Sequence, residues 1–191
     1  MQKHIINLAI ALLLTSVSSG VVAKAGKAIH SPVVKHKTME VKPAAKTKTL
    51  KSFIDKKCSK KCVDESKLSN TIAKASTKYQ VNRNVILGVI TVESAFNSKA
   101  VSSCGVGLMQ VCPKWHREKL KGSNPYTVST NVDVGTQILK QCLEKHKQNI
   151  NRSLACYNGG GDAFYVTKVR AVMKEIEQLA KTETEGGTKW L

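Results

Sequence analysis

Residues 81–97 read VNRNVILGVITVESAFN, and this stretch decides the fold class. Apolar residues recur at the spacing of one helix face at Val85, Ile86, Val89 and Ile90. Glu93 follows on the same face, three residues after Ile90. Burial disfavours the charged form of a carboxyl group and raises its pKa, as a general acid requires near neutral pH. Exposure of Glu93 to solvent, or pairing with a lysine, is the alternative interpretation.

Apolar residues recur at helical spacing through most of the chain after Cys62. One such stripe consists of Leu68, Ile72, Ala75 and Tyr79. Further helices are expected over residues 66–79, 132–147, 151–157 and 163–181, with a short helical segment at 108–111. Residues that can cap three of the predicted helices are Asn82 or Asn84, Thr130 or Asn131, and Asn151. The globular part, about residues 64–182, is therefore predicted to be mainly α-helical.

The chain has 191 residues, with 31 Lys and Arg against 13 Asp and Glu and a net charge of +18. This length fits one domain with appendages and excludes a large multidomain protein. The charge indicates a polyanionic partner: nucleic acid, an anionic membrane or an acidic wall polymer. Aromatic residues are scarce and no nucleic-acid-reading motif is found, which argues against specific nucleic-acid binding.

The first 23 residues have the pattern of a secretory signal peptide. Lys3 precedes an apolar run from Ile5 to Leu14, and Val21 and Ala23 supply the small residues of a cleavage site. The run is too short to span a bilayer, which needs about 20 residues. We expect cleavage after residue 23, a periplasmic or secreted protein, and no membrane span after processing. An uncleaved N-terminal anchor is the alternative.

Residues 24–63 are predicted to form a flexible, Lys-rich leader, and residues 183–191 a flexible tail. Twelve lysines lie between Lys24 and Lys61, against Glu40 and Asp55, with little apolar periodicity. Such a segment buries too little apolar surface to offset its ordering entropy. It either attracts anionic polymer or is a solvated linker without a specific partner.

The chain has six cysteines, and export favours disulfides over metal sites. Six cysteines allow about fifteen pairings. We expect Cys142–Cys156 between neighbouring helices, Cys104–Cys112 across a loop and Cys58–Cys62 within one turn. A zinc site at Cys58, Cys62 and Cys142 with His146 is the alternative, but no second ligand pair has the required spacing. No metal and no cofactor is expected.

Four blocks of sequence carry a family resemblance. They are Glu93-Ser94-x-Phe96-Asn97, Ala100-Val101-Ser102-Ser103, Gly107-Leu108-Met109-Gln110-Val111-x-Pro113 and Ala155-x-Tyr157-Asn158-Gly159-Gly160. Together they resemble the SLT domain of the soluble-lytic-transglycosylase-like muramidases, over about residues 66–180. The chain is similar to the small, single-domain members that open holes in peptidoglycan for secretion, conjugation or phage systems. The resemblance implies a lysozyme-like helical domain with a substrate cleft, peptidoglycan strands as substrate, and components of such an apparatus as partners.

The resemblance also implies roles for individual residues. Glu93 matches the family's catalytic glutamate, and Tyr157 resembles the tyrosine that orients this carboxyl group. The matching cleft-lining positions are Ser102, Met109, Gln110, Tyr157 and Asn158. The loop between Ser102 and Gly107 is one residue shorter than the common form, and Cys112 stands where the family often has methionine.

The family's reaction cleaves the β-1,4 bond between MurNAc and GlcNAc and forms a 1,6-anhydro ring. The resemblance implies that Glu93 acts as acid and then as base in this reaction. The sequence offers one carboxylate in a strong motif, whereas glycosidic cleavage normally uses two. Asp133 and Asp162 are candidates for a second carboxylate, but their positions favour a helix-end charge and a turn residue. A lysozyme-type hydrolase and a non-catalytic, cationic wall-binding or assembly factor are the alternatives.

Aromatic residues outside the four blocks have weaker interpretations. Trp115 and His116 follow Pro113 and are candidates for a sugar-stacking rim, with core packing or exposure as the alternative. Phe164 and Tyr165 fit the last predicted helix, where packing is the expected role.

Overall fold

The computed structural model describes residues 45–58 and 62–186, all within one unit of the chain, Met39–Leu191. These residues contain α1 (Thr47–Lys57), α2 (Glu65–Tyr79), α3 (Arg83–Ser94), α4 (Arg117–Leu120), α5 (Val128–Lys145), α6 (Ile150–Asn158) and α7 (Tyr165–Gly186). Within the described ranges, β structure is limited to two isolated bridges, which pair Val106 with Val101 and with Val111. The prediction of a mainly α-helical domain is confirmed.

Helix α3 packs against α7 and α2. The four apolar residues of its predicted stripe are all buried. Gly88 allows α7 to approach closely, because a Cβ atom there would lie 3.1 Å from Cγ1 of Val169 and 3.3 Å from the Val169 carbonyl oxygen. A larger residue at this crossing would push α7 away from the helix that carries Glu93.

The ends of α3 are fixed by backbone geometry and one cap. The side-chain oxygen of Asn82 accepts a hydrogen bond from the N–H of Asn84 (2.8 Å), so Asn82 is the cap. Asn84 is buried, and its side-chain oxygen instead accepts from the N–H of Ala45 (3.0 Å). After Ser94 the chain takes positive φ at Ala95 and the buried Phe96, which ends the helix directly beyond Glu93.

The prediction of a flexible leader over residues 24–63 is wrong for the part that forms α1. Residues Thr47–Lys57 form a helix that packs against α2 and α7, and Leu50, Phe53 and Ile54 are buried. These three side chains are spaced i, i+3 and i+4, so the segment does bury an apolar face despite its lysines. The predicted signal peptide and residues 24–44 and 59–61 of the leader lie outside the described residues.

Other predicted boundaries also change. Helix α7 continues to Gly186, and Oγ1 of Thr49 donates a hydrogen bond to Oε2 of Glu183 (2.6 Å). Residues 183–186 therefore belong to the helix and not to a flexible tail, and residues 187–191 lie outside the described ranges. Asn149, and not Asn151, caps α6, because its side-chain oxygen accepts from the N–H of Arg152 (3.1 Å).

The short helix predicted at residues 108–111 is wrong. The chain forms a tight turn there, in which the N–H of Gln110 donates to the carbonyl of Gly107 (3.3 Å). Gly107 and Gln110 both have positive φ, which is incompatible with a continuing right-handed helix. The bridge between Val106 and Val111 closes this turn.

The structure pairs the six cysteines as the sequence analysis expects. Cys142–Cys156 joins α5 to α6, Cys104–Cys112 crosses the turn after α3, and Cys58–Cys62 lies between α1 and α2. The zinc alternative is not supported, since its three cysteines are all engaged in disulfides. Among the described helices, none combines the length and apolarity needed to cross a bilayer.

The docking of α1 can be tested with a core substitution in that helix. Phe53→Ala is expected to lower the free energy of unfolding by about 3–5 kcal/mol, because it leaves a cavity between packed helices. Lys48→Ala, at an exposed position of the same helix, should change it by less than about 0.5 kcal/mol. Urea unfolding followed by circular dichroism measures both. Equal stability of the two variants would show that α1 is not part of the folded core.

Candidate active site

Glu93 lies in a cleft of about 360 Å³ at the end of α3. The residues that line this cleft are Glu93, Ser102, Cys104, Gly105, Gln110, Val111, Cys112, His116, Ile138, Tyr157 and Asn158. They come from the end of α3, the turn after it, the segment before α4, and helices α5 and α6. The structure thus brings four of the five predicted cleft-lining residues together with Glu93.

The Glu93 carboxyl group is half-buried, and one side chain among the described residues forms a hydrogen bond with it. Oη of Tyr165 donates a hydrogen bond to Oε1 of Glu93 at 2.7 Å. Burial raises the pKa of Glu93, and the hydrogen bond from Tyr165 opposes part of that rise by favouring the carboxylate. No lysine or arginine in the described part of the chain forms an ion pair with Glu93, so the alternative of a lysine-paired carboxylate is not supported.

Tyr165, predicted to serve in packing, is therefore the tyrosine that contacts the carboxyl group. Its pKa is raised far above the ordinary value, first by burial and then by the charge of Glu93, so it remains a hydrogen-bond donor. Helix α7 begins at Tyr165, and Val169 one turn later is buried against α3. Packing of α7 on α3 thus brings the Tyr165 hydroxyl to Glu93.

Tyr157 does not make the contact with the catalytic carboxyl group that the resemblance implied. Its hydroxyl donates to the carbonyl oxygen of Met109 at 2.7 Å, and not to Glu93. Burial and the nearby charge of Glu93 raise the pKa of Tyr157 well above its ordinary value, so this donor also keeps its proton. Tyr157 therefore lines the cleft and ties α6 to the turn that carries Gln110.

Met109 is the one predicted cleft residue that the structure places elsewhere. Its side chain is fully buried and packs against α5, where Oγ1 of Thr136 lies 3.9 Å from its sulfur. The Met109 backbone is what reaches the site, through the carbonyl bond to Tyr157. The Met109 side chain packs in the core beneath the cleft wall and does not line the cleft.

The turn between α3 and α4 presents Ser102 and Gln110 to the cleft. Oγ of Ser102 accepts from the N–H of Gly105 (3.0 Å) and donates to the Gly105 carbonyl (3.3 Å). Nε2 of Gln110 donates to the carbonyls of Ala100 (3.2 Å) and Gly107 (2.9 Å). Both side chains thus fix the shape of the cleft wall.

Asn131 is a site-supporting residue that the sequence analysis missed. Its position predicts a helix cap, but α5 begins at Val128 and Asn131 is buried inside the helix. Its side-chain oxygen accepts from the N–H of Met109 (2.7 Å), and its Nδ2 donates to the carbonyls of Val106 (2.8 Å) and Pro125 (2.7 Å). The Asn131 amide fits in this position because residue 107 is glycine, since a Cβ atom there would collide with the amide.

Asn158 occupies the end of α6, where Gly159 takes positive φ as the C-cap. With its amide oxygen toward the following turn, Asn158 accepts from the N–H groups of Gly161 (3.2 Å) and Asp162 (2.8 Å). Asn158 both closes the turn and lines the cleft.

The two candidates for a second carboxylate lie outside the cleft lining. Asp133 accepts hydrogen bonds from Lys78 (2.8 Å) and the Tyr79 hydroxyl (2.9 Å). Asp162 pairs with Lys168 (2.8 Å), and this hydrogen bond lowers the pKa of Asp162. Asp162 lies in the turn before α7, as its position in the sequence indicates. Asp133 lies inside α5, which begins at Val128, and not in the first turn of that helix, so the expectation of a helix-end charge is wrong for Asp133.

The segment after Pro113 places its two aromatic side chains differently. His116 lines the cleft, whereas Trp115 is 74% exposed and is not part of the lining. Nζ of Lys114 lies 6.0 Å from the centre of the Trp115 ring. The predicted rim is therefore represented in the cleft by His116 alone.

The clamp formed by Asn131 can be tested directly. Asn131→Ala leaves one backbone N–H and two carbonyls without their partner, and is expected to lower the free energy of unfolding by about 3 kcal/mol. The Met109 amide should also exchange faster with deuterium. Asn151→Ala, at an exposed position of α6, is the control and should change stability by less than about 0.5 kcal/mol. Unchanged exchange at Met109 would contradict the clamp.

Comparisons with known proteins find a matching family model and several relatives. The family model described as Transglycosylase SLT domain matches residues 70–179. The chain is 31% identical over 115 residues to the "Transglycosylase" of Enterobacteria phage PRD1, a match covering 57% of this chain and 43% of that relative. It is 32% identical over 110 residues to "Membrane-bound lytic murein transglycosylase C" of Glaesserella parasuis serovar 5 (strain SH0165), covering 48% of this chain and 30% of that protein.

A relative of the same name from Haemophilus influenzae (strain PittEE) is 30% identical over 110 residues, covering 48% of this chain and 31% of the relative. The chain thus spans less than half the length of these curated relatives. No solved structure matches the chain. Because the family model covers more than half of the chain and includes Glu93, the turn after α3 and Tyr157, the protein belongs to the transglycosylase SLT domain family.

Proposed function

We propose that this protein is a peptidoglycan lytic transglycosylase that cleaves the β-1,4 bond between MurNAc and GlcNAc and forms 1,6-anhydroMurNAc. The observation that carries the proposal is the Glu93 carboxyl group, half-buried in a cleft with a raised pKa. Membership of the SLT family and the names of its relatives support the same activity.

In the first step, Glu93 acts as general acid. Because its pKa is raised, Glu93 is protonated in a larger fraction of molecules near neutral pH than an exposed glutamate is. That proton passes to the glycosidic oxygen as the bond to C1 of MurNAc breaks, and GlcNAc leaves as an alcohol. The N-acetyl group of MurNAc stabilises the positive charge that develops at C1.

In the second step, Glu93 acts as general base. The carboxylate left by the first step accepts the proton of the MurNAc C6 hydroxyl, and the C6 oxygen bonds to C1 to close the anhydro ring. Glu93 is then protonated again, so the cycle returns to its start without water. The hydrogen bond from Tyr165 holds the carboxyl group in one orientation for both transfers and stabilises its charged state between them.

The number of carboxylates favours this reaction over hydrolysis by the usual two-carboxylate route. Inverting and retaining glycosidases place a second carboxyl group across the scissile bond. Glu93 is the sole carboxylate in the lining of the cleft as the described residues form it, and Asp133 and Asp162 are engaged with lysines. A lysozyme-type hydrolase of the same fold is distinguished by its products.

We further propose that the protein acts in the periplasm or after secretion, since residues 1–23 have the pattern of a signal peptide. Peptidoglycan carries carboxylates, so the net charge of +18 favours association with it. Components of a secretion or conjugation apparatus are proposed as partners on the family resemblance alone.

The proposed activity is tested by mass spectrometry of the fragments released from purified peptidoglycan. The protein is expected to release 1,6-anhydro muropeptides, and Glu93→Gln should lower the rate by at least about 100-fold, because it removes the general acid and base. Glu118→Gln, an exposed glutamate outside the cleft lining, is the control and should retain the activity.

Each other product pattern contradicts the proposal in its own way. Reducing-end fragments that depend on Glu93 would show a lysozyme-type hydrolase. Absence of fragments with the wild-type protein would favour a wall-binding or assembly factor. Anhydro products from Glu93→Gln at the wild-type rate would exclude Glu93 as the acid and base.

The role of Tyr165 predicts a shift in the pH profile. The acid step needs protonated Glu93, so kcat/KM should fall as pH rises through the pKa of Glu93. Tyr165→Phe removes a hydrogen bond that lowers this pKa, so the alkaline limb should move to higher pH while kcat falls about tenfold. Tyr126→Phe, on an exposed tyrosine, should change neither. A limb that stays in place or moves to lower pH in Tyr165→Phe would refute this role.

A further inference from the structure

His116 has a fixed backbone position in the cleft wall. Its N–H donates to the carbonyl of Cys112 (3.1 Å), and its own carbonyl accepts from the N–H of the buried Leu120 (3.0 Å). Cys112 is in turn joined to Cys104 by a disulfide, and all three residues line the cleft. The imidazole is therefore carried by backbone that is anchored on both sides.

The two ring nitrogens of His116 have different surroundings. Nδ1 is buried and has no hydrogen-bond partner. Nε2 has no protein partner among the described residues either, but it is not buried, and the side chain lines the cleft. Only Nε2 can therefore reach a molecule bound there.

The burial of Nδ1 also selects the tautomer. Burial and the nearby charge of Lys119 lower the pKa of His116, so the ring is neutral at pH 7 and carries one proton. Were that proton on Nδ1, the structure would bury an N–H donor without an acceptor, which native proteins rarely do. The proton consequently belongs on Nε2, which makes His116 a hydrogen-bond donor directed at the cleft.

Other polar side chains of the cleft have their donors engaged within the protein. The hydroxyl of Ser102 donates to Gly105, the Gln110 amide to two carbonyls, and the hydroxyl of Tyr157 to Met109. Of the neutral side chains in the lining, His116 and Asn158 are left with a donor for a ligand. N-acetyl carbonyl oxygens of a glycan are pure acceptors and need such donors.

We propose that His116 binds the glycan directly, through a hydrogen bond from Nε2–H to an oxygen atom of an N-acetylhexosamine unit in the cleft. This inference rests on the proposed function, because it takes the glycan as the ligand of the cleft. It assigns His116 to substrate binding and replaces the stacking role that the sequence suggested.

The test measures binding without turnover, in the Glu93→Gln background. Isothermal titration with a peptidoglycan tetrasaccharide, two GlcNAc–MurNAc repeats, gives the Kd of this parent and of three double variants. His116→Ala is expected to raise Kd about 5- to 10-fold, the value of one neutral hydrogen bond. His116→Gln, whose amide NH₂ reaches about as far as Nε2, should stay within about threefold of the parent. His146→Ala, at the end of α5 outside the cleft lining, should bind as the parent does.

A second measurement reads the tautomer in the same background, independently of affinity. Long-range ¹H–¹⁵N spectra of the imidazole should show His116 protonated on Nε2, and the Nε2 resonance should shift when the tetrasaccharide is added. Protonation on Nδ1 would overturn the inference even if His116→Ala weakened binding through a local change of fold.

The outcomes separate this inference from the proposed function. Equal Kd values for the parent and His116→Ala would overturn the role of His116 and leave the glycan as the ligand of the cleft. Failure of the parent itself to bind the tetrasaccharide would overturn the proposed function and this inference together.

Discussion

The buried amide of Asn131 holds the cleft together. It makes two hydrogen bonds from the body of α5 to the turn after α3 and a third to the carbonyl of Pro125, just before α5, and no charged group contributes to them. One of these bonds fixes the Met109 backbone, whose carbonyl in turn receives the hydroxyl of Tyr157. Helices α5 and α6 and the cleft wall are thereby joined through one side chain. The turn buries Leu108, Met109 and Val111, and the hydrogen bonds of Asn131 fix its backbone where Gly107 and Gln110 take positive φ.

The proposed chemistry depends on a balance of opposing effects on the pKa of Glu93. Desolvation at the end of α3 favours the protonated acid, and the Tyr165 hydroxyl favours the carboxylate. Desolvation is the larger effect, so the pKa is raised, and the hydrogen bond from Tyr165 limits that rise. A residue that donates a proton and then accepts one must be able to adopt both the protonated and the ionised state near the working pH. The absence of an ion pair to Glu93 in the described residues is consistent with this balance, because a nearby cation would stabilise the carboxylate and weaken the acid.

Local patterns in the sequence predict much of this structure. The apolar stripe of α3 places Glu93 on the inward face, and the spacing of the cysteines suggests the pairing that is found. Contacts between distant segments are harder to predict. Tyr165 lies 72 residues from Glu93, and a tyrosine one turn before Val169 has the same pattern whether it packs or donates a hydrogen bond. Asn131 lies near the start of a predicted helix, where an asparagine has the pattern of a cap. The i, i+3, i+4 spacing of Leu50, Phe53 and Ile54 indicates the buried face of α1, but the many lysines around these residues favour a disordered segment.

The central claim is that a single desolvated carboxyl group performs both proton transfers, and its own titration tests this most directly. Carbon-detected NMR of the side-chain carboxyl of Glu93, followed over pH in the free protein, gives the pKa without reference to any product. The account predicts a value above the ordinary 4.5 of a glutamate, and an alkaline limb of kcat/KM at the same pH. A pKa at or below 4.5, or a limb that does not coincide with the titration of Glu93, would contradict it.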